Sequence, residues 1–337
     1  MRSTYRWLVV LLAFAVVAAA PSGSVAQSTA LPAPIVDAVE RAVVQINITF
    51  DSNGRVGRAS GSGIVIDPGG LILTAQHVVA RATSIDVIFK NGEAVTAHVI
   101  GTDPVFDLAL VRIDPRVALP VAVLGNSSLL REGDLVTTFG RAPRRTGGPS
   151  TGAFITLDFE ARPGAPYLRT TATVYPGDSG GALVNDRGEV VGVIVATARD
   201  GTFSLSVASD AVKALLPDLR AGTVRHPWLG VTGQTIDDEL AAELGLPVRS
   251  GVLVFEVVDG GPAALAGLRG GRPAASPRDA PRGGDIIVAI DGRPVRTFGA
   301  LAGYVLSRHI GDTVTLEILR DGRTFSVSVV LGERPNI

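Results

Sequence analysis

The sequence predicts a mostly β chain in two units, a larger all-β unit followed by a smaller α+β one. Between Val43 and Ala208, apolar runs of roughly five to seven residues recur, separated by Gly, Pro, Asn and Asp turn signals. The length of 337 residues suits about two domains, and 40 glycines and 21 prolines at 46% hydrophobic content fit a globular, turn-rich β protein. From Trp228 onward, strand-like runs alternate with two helix-like stretches. A formal net charge of −1 gives no electrostatic reason to expect nucleic acid. With no cysteine there is no disulfide, no thiol chemistry and no lipid-modified cysteine. Four scattered histidines without cysteine partners predict neither a metal site nor a cofactor.

Residues 1–26 read as a secretory signal. Arg2 and Arg6 form the positive start, Trp7–Ala20 is an unbroken apolar run, and Ser24-Val25-Ala26 offers small residues for cleavage before Gln27. The run is shorter than the ~20 residues of a spanning helix. Export to the periplasm or medium is expected, without stable membrane insertion; an uncleaved anchor is the alternative. Gln27–Pro34 is a linker, and Ile35–Arg41 places Ile35, Val36 and Val39 at helical spacing. Strands follow at Val43–Phe50, Gly61–Ile66 and Leu71–Thr74, with Asp51–Ser60 read as a loop. Ile85–Lys90 and Ala94–Ile100 flank the hairpin signal Asn91-Gly92, and Leu108–Ile113 is the sixth strand. These six segments close a first barrel. Val121–Leu124, Leu135–Phe139, Gly152–Phe159, Tyr167–Thr173, Ala182–Val184, Val190–Ala196 and Phe203–Ala208 supply a second. Ser209 then caps a helix over Asp210–Leu216. Arg220–His226 is a linker in which His226 reads as solvated, with a tuning role at the junction to the second unit as the alternative.

Chemistry concentrates around Pro176-Gly177-Asp178-Ser179-Gly180-Gly181. Taken alone, a serine between glycines is a turn. Here it lies on a tight loop entering a hairpin, and the amides of Gly177, Asp178 and Ser179 can converge on one anion. A serine hydroxyl needs a base to become a nucleophile. His77 supplies one, directly after the apolar strand Leu71–Thr74. Asp107 opens the strand Leu108–Ile113, where a carboxylate can fix an imidazole tautomer; Asp103, which precedes a proline, competes for that role less well. His98 and His309 read as structural.

The motifs Thr74-Ala75-Gln76-His77, Asp107-Leu108-Ala109-Leu110 and Gly177–Gly181 resemble those of trypsin-like double β-barrel serine proteases, and most closely the HtrA/Deg proteases. The resemblance spans about residues 34–335. It implies a chymotrypsin-like double barrel over 27–222 and an α+β PDZ domain over 226–335. Trp228-Leu229-Gly230-Val231 then corresponds to the carboxylate-binding loop, with Leu301, Tyr304 or Val305 holding the last side chain of a peptide. It implies an ATP-independent endopeptidase acting on unfolded or misfolded polypeptides, with C-terminal peptides as further partners and a homotrimer as assembly. Thr173, at the floor of the first specificity pocket, implies cleavage after small aliphatic residues rather than Arg or Lys. The chain departs from the family at Tyr175, Thr171 and Asp178, where asparagine, aspartate and asparagine are usual. Asp178 lacks the free N-terminus that pairs with such an acid in trypsin-like enzymes, so it needs another partner, such as an arginine. Arg269–Gly283 is a long Pro-, Gly- and Arg-rich insertion, read as a surface loop, with contact to the protease domain or the peptide as the alternative. Two other readings are a PDZ-based peptide sensor or chaperone with a silent protease site, and a dedicated protease switched on by a C-terminal peptide.

Overall fold

In a computed structural model of the chain, residues 30–141, 148–158, 165–198, 201–222, 224–271 and 283–335 are described. The signal, most of the insertion after Arg269 and the middle of the Gly140–Ser150 loop lie outside them. Helix α1 (Ala33–Ala42) leads into six strands: β1 (Val43–Ser52), β2 (Arg55–Val65), β3 (Leu71–Ala75), β4 (Ser84–Ile88), β5 (Ala94–Asp103) and β6 (Leu108–Arg112), with a one-turn helix α2 (Gln76–Val79) after β3. They close a barrel in the order β1-β2-β3-β6-β5-β4. A second closed barrel comprises β7 (Leu135–Phe139), β8 (Ser150–Asp158), β9 (Tyr167–Thr170), β10 (Ala182–Val184), β11 (Val190–Thr197) and β12 (Ser204–Ala208). One apolar core, including Ile46, Leu73, Leu110, Tyr167, Val193 and Val207, runs through both. Closure leaves neither barrel with an open edge, and the loops between strands are free to carry side chains into the cleft.

Three expectations for this unit are corrected. Residues 51–60 are not a loop. β1 and β2 continue as a hairpin to Ser52↔Arg55, closed by Asn53-Gly54 with both φ values positive, at 53° and 79°. That is the turn an Asn-Gly pair favours, hidden because the hairpin end is exposed on both faces and shows no apolar alternation. Val121–Leu124 is not a strand, for only Leu124 forms an isolated bridge, with Val190, and Val121 and Val123 are exposed. Ser209 is not a side-chain cap. Helix α3 (Ser209–Ala221) starts at it, and its hydroxyl donates to the Gly125 carbonyl and accepts the Ser127 N–H. α3 outlasts the expected Leu216 and packs on β5, where the Leu219 carbonyl lies so close to Gly101 that a Cβ there would collide with it.

The C-terminal unit holds β13 (Pro227–Trp228), β14 (Val231–Thr235), α4 (Asp238–Leu244), β15 (Val252–Val257), α5 (Pro262–Leu265), β16 (Ile286–Ile290), β17 (Arg293–Pro294), α6 (Phe298–Leu306), β18 (Thr313–Arg320), β19 (Arg323–Val330) and β20 (Gly332–Glu333). Its sheet runs β14-β15-β16-β18-β19, with β13 paired to β20 beside it. α4 was not anticipated, although Asp237 caps it by accepting the Leu240 N–H at 2.8 Å and Gly245 ends it in the left-handed region. One ion pair anchors the unit. Asp285, fully buried, receives Arg320 Nε at 2.6 Å and Arg320 Nη2 at 2.7 Å, together with the Arg269 N–H at 2.8 Å. Removing one partner of a buried pair strands the other charge. Arg320→Ala should therefore destabilise this unit by about 3 kcal/mol, read as a lower urea midpoint for its transition. An unchanged midpoint would show the pair to be energetically silent.

Candidate active site and peptide groove

β3 ends at the cleft, and the chain turns at once into α2, so His77 stands at the barrel rim with its side chain 46% exposed. β6 begins opposite, preceded by Asp107, whose side chain is 2% exposed. The two are doubly joined: Asp107 Oδ1 accepts the His77 backbone N–H at 2.9 Å, and Asp107 Oδ2 lies 2.8 Å from Nδ1. A carboxylate can only accept, so a proton sits on Nδ1, and in the neutral imidazole Nε2 keeps its lone pair. The Asp107 carbonyl also takes the Gln76 N–H at 3.0 Å. Asp107 holds φ at 59°, uncommon for a side-chain-bearing residue but accessible to Asp.

Ser179 lies across the cleft. Its neighbour Gly180 has φ at 85°, and a Cβ there would collide with the Ser62 carbonyl and the Thr74 hydroxyl, so the loop seats against β3 only because this residue is glycine. The Ser179 hydroxyl points to the Val195 carbonyl at 3.4 Å, and no hydrogen bond joins it to His77 among the described residues. His77 and Asp107 are thus brought together, while the Ser179 loop is tied to β2 through Ser62 and packs on the end of β3, the strand that leads to His77. Contacts between a nucleophile and its base are often loose before substrate arrives. Of the three amides expected to hold an anion, one is corrected: the Asp178 N–H is committed to the Tyr175 carbonyl at 2.9 Å. Those of Gly177 and Ser179 have no acceptor among the described residues. Asp178 itself is fully buried, with Oδ2 accepting the Tyr175 N–H at 2.9 Å, so a main-chain donor of its own loop serves it. Thr173 is exposed, its amide bound to Ser150 Oγ and its carbonyl to Thr138 Oγ1.

Ser62 was missed by sequence reasoning. It is fully buried in β2 and ties three segments together: its N–H reaches the Ser179 carbonyl at 2.8 Å, its hydroxyl donates to the Gly177 carbonyl at 2.8 Å, and the same oxygen accepts the Arg141 N–H at 2.8 Å. A lone hydroxyl residue within Gly61-Ser62-Gly63 was the available signal. His226 also departs from expectation. It is buried at 7% exposure, not solvated, with Nε2 3.0 Å from both oxygens of Asp103.

In the C-terminal unit a groove of about 380 Å³ lies between β14 and α6. Trp228, Leu229, Gly230 and Val231 line one side, and Leu301 and Val305 the other. Tyr304 is not among its lining residues; its hydroxyl binds Asp291 instead. The Leu229 and Gly230 carbonyls are taken by Ala263 and Val258, whereas the amides of the same two residues have no acceptor among the described residues. Two open N–H groups at the end of an apolar groove suit a peptide carboxylate. Among the described residues no cluster of His, Asp and Glu could hold a metal ion.

The trypsin-like peptidase domain family matches residues 61–193, and the PDZ domain family matches residues 227–331. A Synechocystis protein named "Putative serine protease HhoA" is 36% identical over 293 residues, covering 82% of this chain and 71% of its own length. A Pseudomonas fulva protein named "Probable periplasmic serine endoprotease DegP-like" is 33% identical over 322 residues, 93% of this chain and 64% of its own. Among such relatives the chain spans from 54% to 71% of their length. Of solved structures, the HtrA-type protease AlgW with a decapeptide superposes at a TM-score of 0.72 with 26% identity, over 90% of this chain and 98% of that one. The serine endoprotease of Yersinia pestis does so at 0.66 with 26% identity, over 91% and 100%. With a trypsin-like double barrel, a PDZ domain behind it and relatives of this kind along most of its length, the chain belongs to the HtrA/Deg-type serine proteases.

Proposed function

We propose that the protein is an exported, ATP-independent endopeptidase that cleaves unfolded or misfolded polypeptides, with His77, Asp107 and Ser179 as its triad. The observation that carries this is the double contact of Asp107 with His77, which leaves Nε2 basic, beside a loop with two open amides. In this reading the Ser179 hydroxyl exchanges the Val195 carbonyl for His77 Nε2 when substrate binds. The imidazole takes its proton as Oγ attacks the peptide carbonyl, and Asp107 stabilises the cation that results. The Gly177 and Ser179 amides receive the oxyanion. His77 then protonates the leaving amine, and water reverses the sequence to release the acyl group. Thr173 brings no charge to the specificity site, which favours small aliphatic residues such as valine. The PDZ groove takes peptide C-termini at Leu229 and Gly230. Relatives named as periplasmic support export, with residues 1–26 as signal, 27–222 as protease domain and 226–335 as PDZ domain. A homotrimer in solution belongs to the same reading and is checked by light scattering.

The test is casein cleavage by the wild type and by Ser179→Ala, with and without C-terminal peptides. Cleavage that survives in Ser179→Ala would refute the reading. The engagement of Ser179 with Val195 rather than His77 favours a second reading, a peptide sensor or chaperone with a silent site. Labelling of Ser179 by a fluorophosphonate separates the two, since a silent site would not react.

Ser62 gives a finer prediction. Its hydroxyl holds the Gly177 carbonyl, and so the orientation of the loop that presents the two open amides. Ser62→Ala should lower kcat about tenfold, the value of one neutral hydrogen bond, with KM little changed. An unchanged kcat on a chromogenic peptide would show that the loop holds its shape without it.

A further inference from the structure

Asp103 and His226 form a buried titratable pair that takes no part in the proposed chemistry. Asp103 ends β5, is wholly buried, and opens the turn that delivers Asp107 to β6. Its Oδ1 accepts the Val105 N–H at 2.9 Å and the Phe106 N–H at 3.3 Å, so the carboxylate shapes the turn from inside. Both of its oxygens lie 3.0 Å from His226 Nε2. The His226 ring also stacks on Phe106, with centroids 5.3 Å apart and planes 22° from parallel. Phe106 immediately precedes Asp107, and its carbonyl accepts the Tyr167 hydroxyl at 3.4 Å. His226 therefore touches the first and the fourth residue of a five-residue turn whose last residue is the acid. That last residue sits at positive φ, a conformation that persists where its surroundings impose it.

The other side of His226 belongs to the PDZ domain. Its carbonyl accepts the Arg334 N–H at 2.9 Å, and the next two residues pair with β20, Pro227 with Glu333 and Trp228 with Gly332. Pro227, Trp228 and Arg334 line the peptide groove. A single residue thus joins the groove wall through its main chain to the turn of the catalytic acid through its ring. The contact is direct at each step, from Arg334 and Pro227 to His226, from His226 to Asp103 and Phe106, and from Phe106 to Asp107 and its partner His77.

We propose that His226 is a positioning residue for Asp107: fixed by the first strand of the PDZ domain, its ring holds the 103–107 turn in the shape that keeps the carboxylate on His77. This rests on the reading of Asp107 as the catalytic acid. It assigns to the junction between the domains a part in the chemical step as well as in binding. The contribution of His226 falls on kcat, because substrate is bound by other residues and only the proton relay depends on the turn.

The experiment uses the full chain and a chromogenic peptide, with kcat expressed per folded molecule from the thermal transition. His226→Ala should lower kcat about tenfold, with KM within about twofold of the wild type. His226→Gln, which retains a side-chain N–H for Asp103, should recover at least half of the loss on a logarithmic scale. Phe106→Leu, which removes the stack and leaves the contact between His226 and Asp103, should lower kcat severalfold. A folded His226→Ala with wild-type kcat overturns the proposal, as does a loss that appears in KM alone. Should His226→Ala fail to fold, wild-type kcat in both His226→Gln and Phe106→Leu overturns it equally. Asp107→Asn is measured in parallel. If that variant is fully active, the assignment of the acid fails and the proposal with it. If it is inactive while the His226 and Phe106 variants are unaffected, only the proposal fails.

Discussion

Ser179→Ala should abolish proteolysis while leaving the protein folded and its groove competent. The expected fall in turnover is on the order of 10⁴–10⁶, because the acyl-enzyme route is lost and only binding and the oxyanion amides remain. The fold should barely register the change. The hydroxyl's contact is a bond of 3.4 Å to the Val195 carbonyl, at the long limit for such bonds, and the main-chain contact of Ser179 with Ser62 is retained. The thermal midpoint is therefore expected to move by no more than roughly 4 °C. Peptide affinity at Leu229 and Gly230 should be unaltered, since no residue of the nucleophile loop lines the groove. Casein degradation followed on gels, fluorophosphonate labelling and calorimetry on the same preparations check all three expectations. A variant that retains more than roughly 1% of wild-type turnover would remove Ser179 from the chemistry.

What was legible in the chain follows from how local each signal is. His77, Asp107 and Ser179 announce themselves because each lies within a few residues of the end of an apolar strand and of recognisable neighbours, and the strands themselves are short continuous apolar runs. The groove loop at Trp228–Val231 is legible for the same reason. Ser62 is not, because its meaning lies in Gly177, 115 residues away, and nothing near it in sequence distinguishes a buried tie from a strand serine. His226 and Asp103 stand 123 residues apart, and each has an ordinary local reading, one as a linker histidine and one as an Asp-Pro turn. The commitment of the Asp178 amide to Tyr175 depends on how the loop folds back on itself, which residue types alone leave open. The Asn53-Gly54 hairpin fails differently: its turn chemistry was present, but strands exposed on both faces carry no alternation to reveal them.

Asp107→Asn should cost about 10⁴ in kcat without disturbing the fold, and the two contacts of the carboxylate explain why an isosteric change is so damaging. Asparagine enters the positive-φ region as readily as aspartate, so the backbone at 59° is not the obstacle. In the wild type both oxygens accept, Oδ1 from the His77 main-chain N–H and Oδ2 from Nδ1. An amide has only one acceptor oxygen. If its NH2 group faced the His77 main-chain N–H, two buried donors would oppose each other at a position where a 2.9 Å hydrogen bond now lies. The side chain therefore keeps its oxygen there and turns its NH2 group to Nδ1. The imidazole can satisfy that donor only by surrendering the Nδ1 proton, which moves to Nε2. His77 then presents an N–H to Ser179 and has no lone pair with which to take the proton of the hydroxyl. The expected result is a protein that binds C-terminal peptides and melts like the wild type, is nearly inert towards casein, and shows the Nε2–H tautomer at His77 by ¹⁵N NMR. Retention of more than roughly a tenth of wild-type kcat, or an unchanged tautomer, would mean that Asp107 does not govern the imidazole.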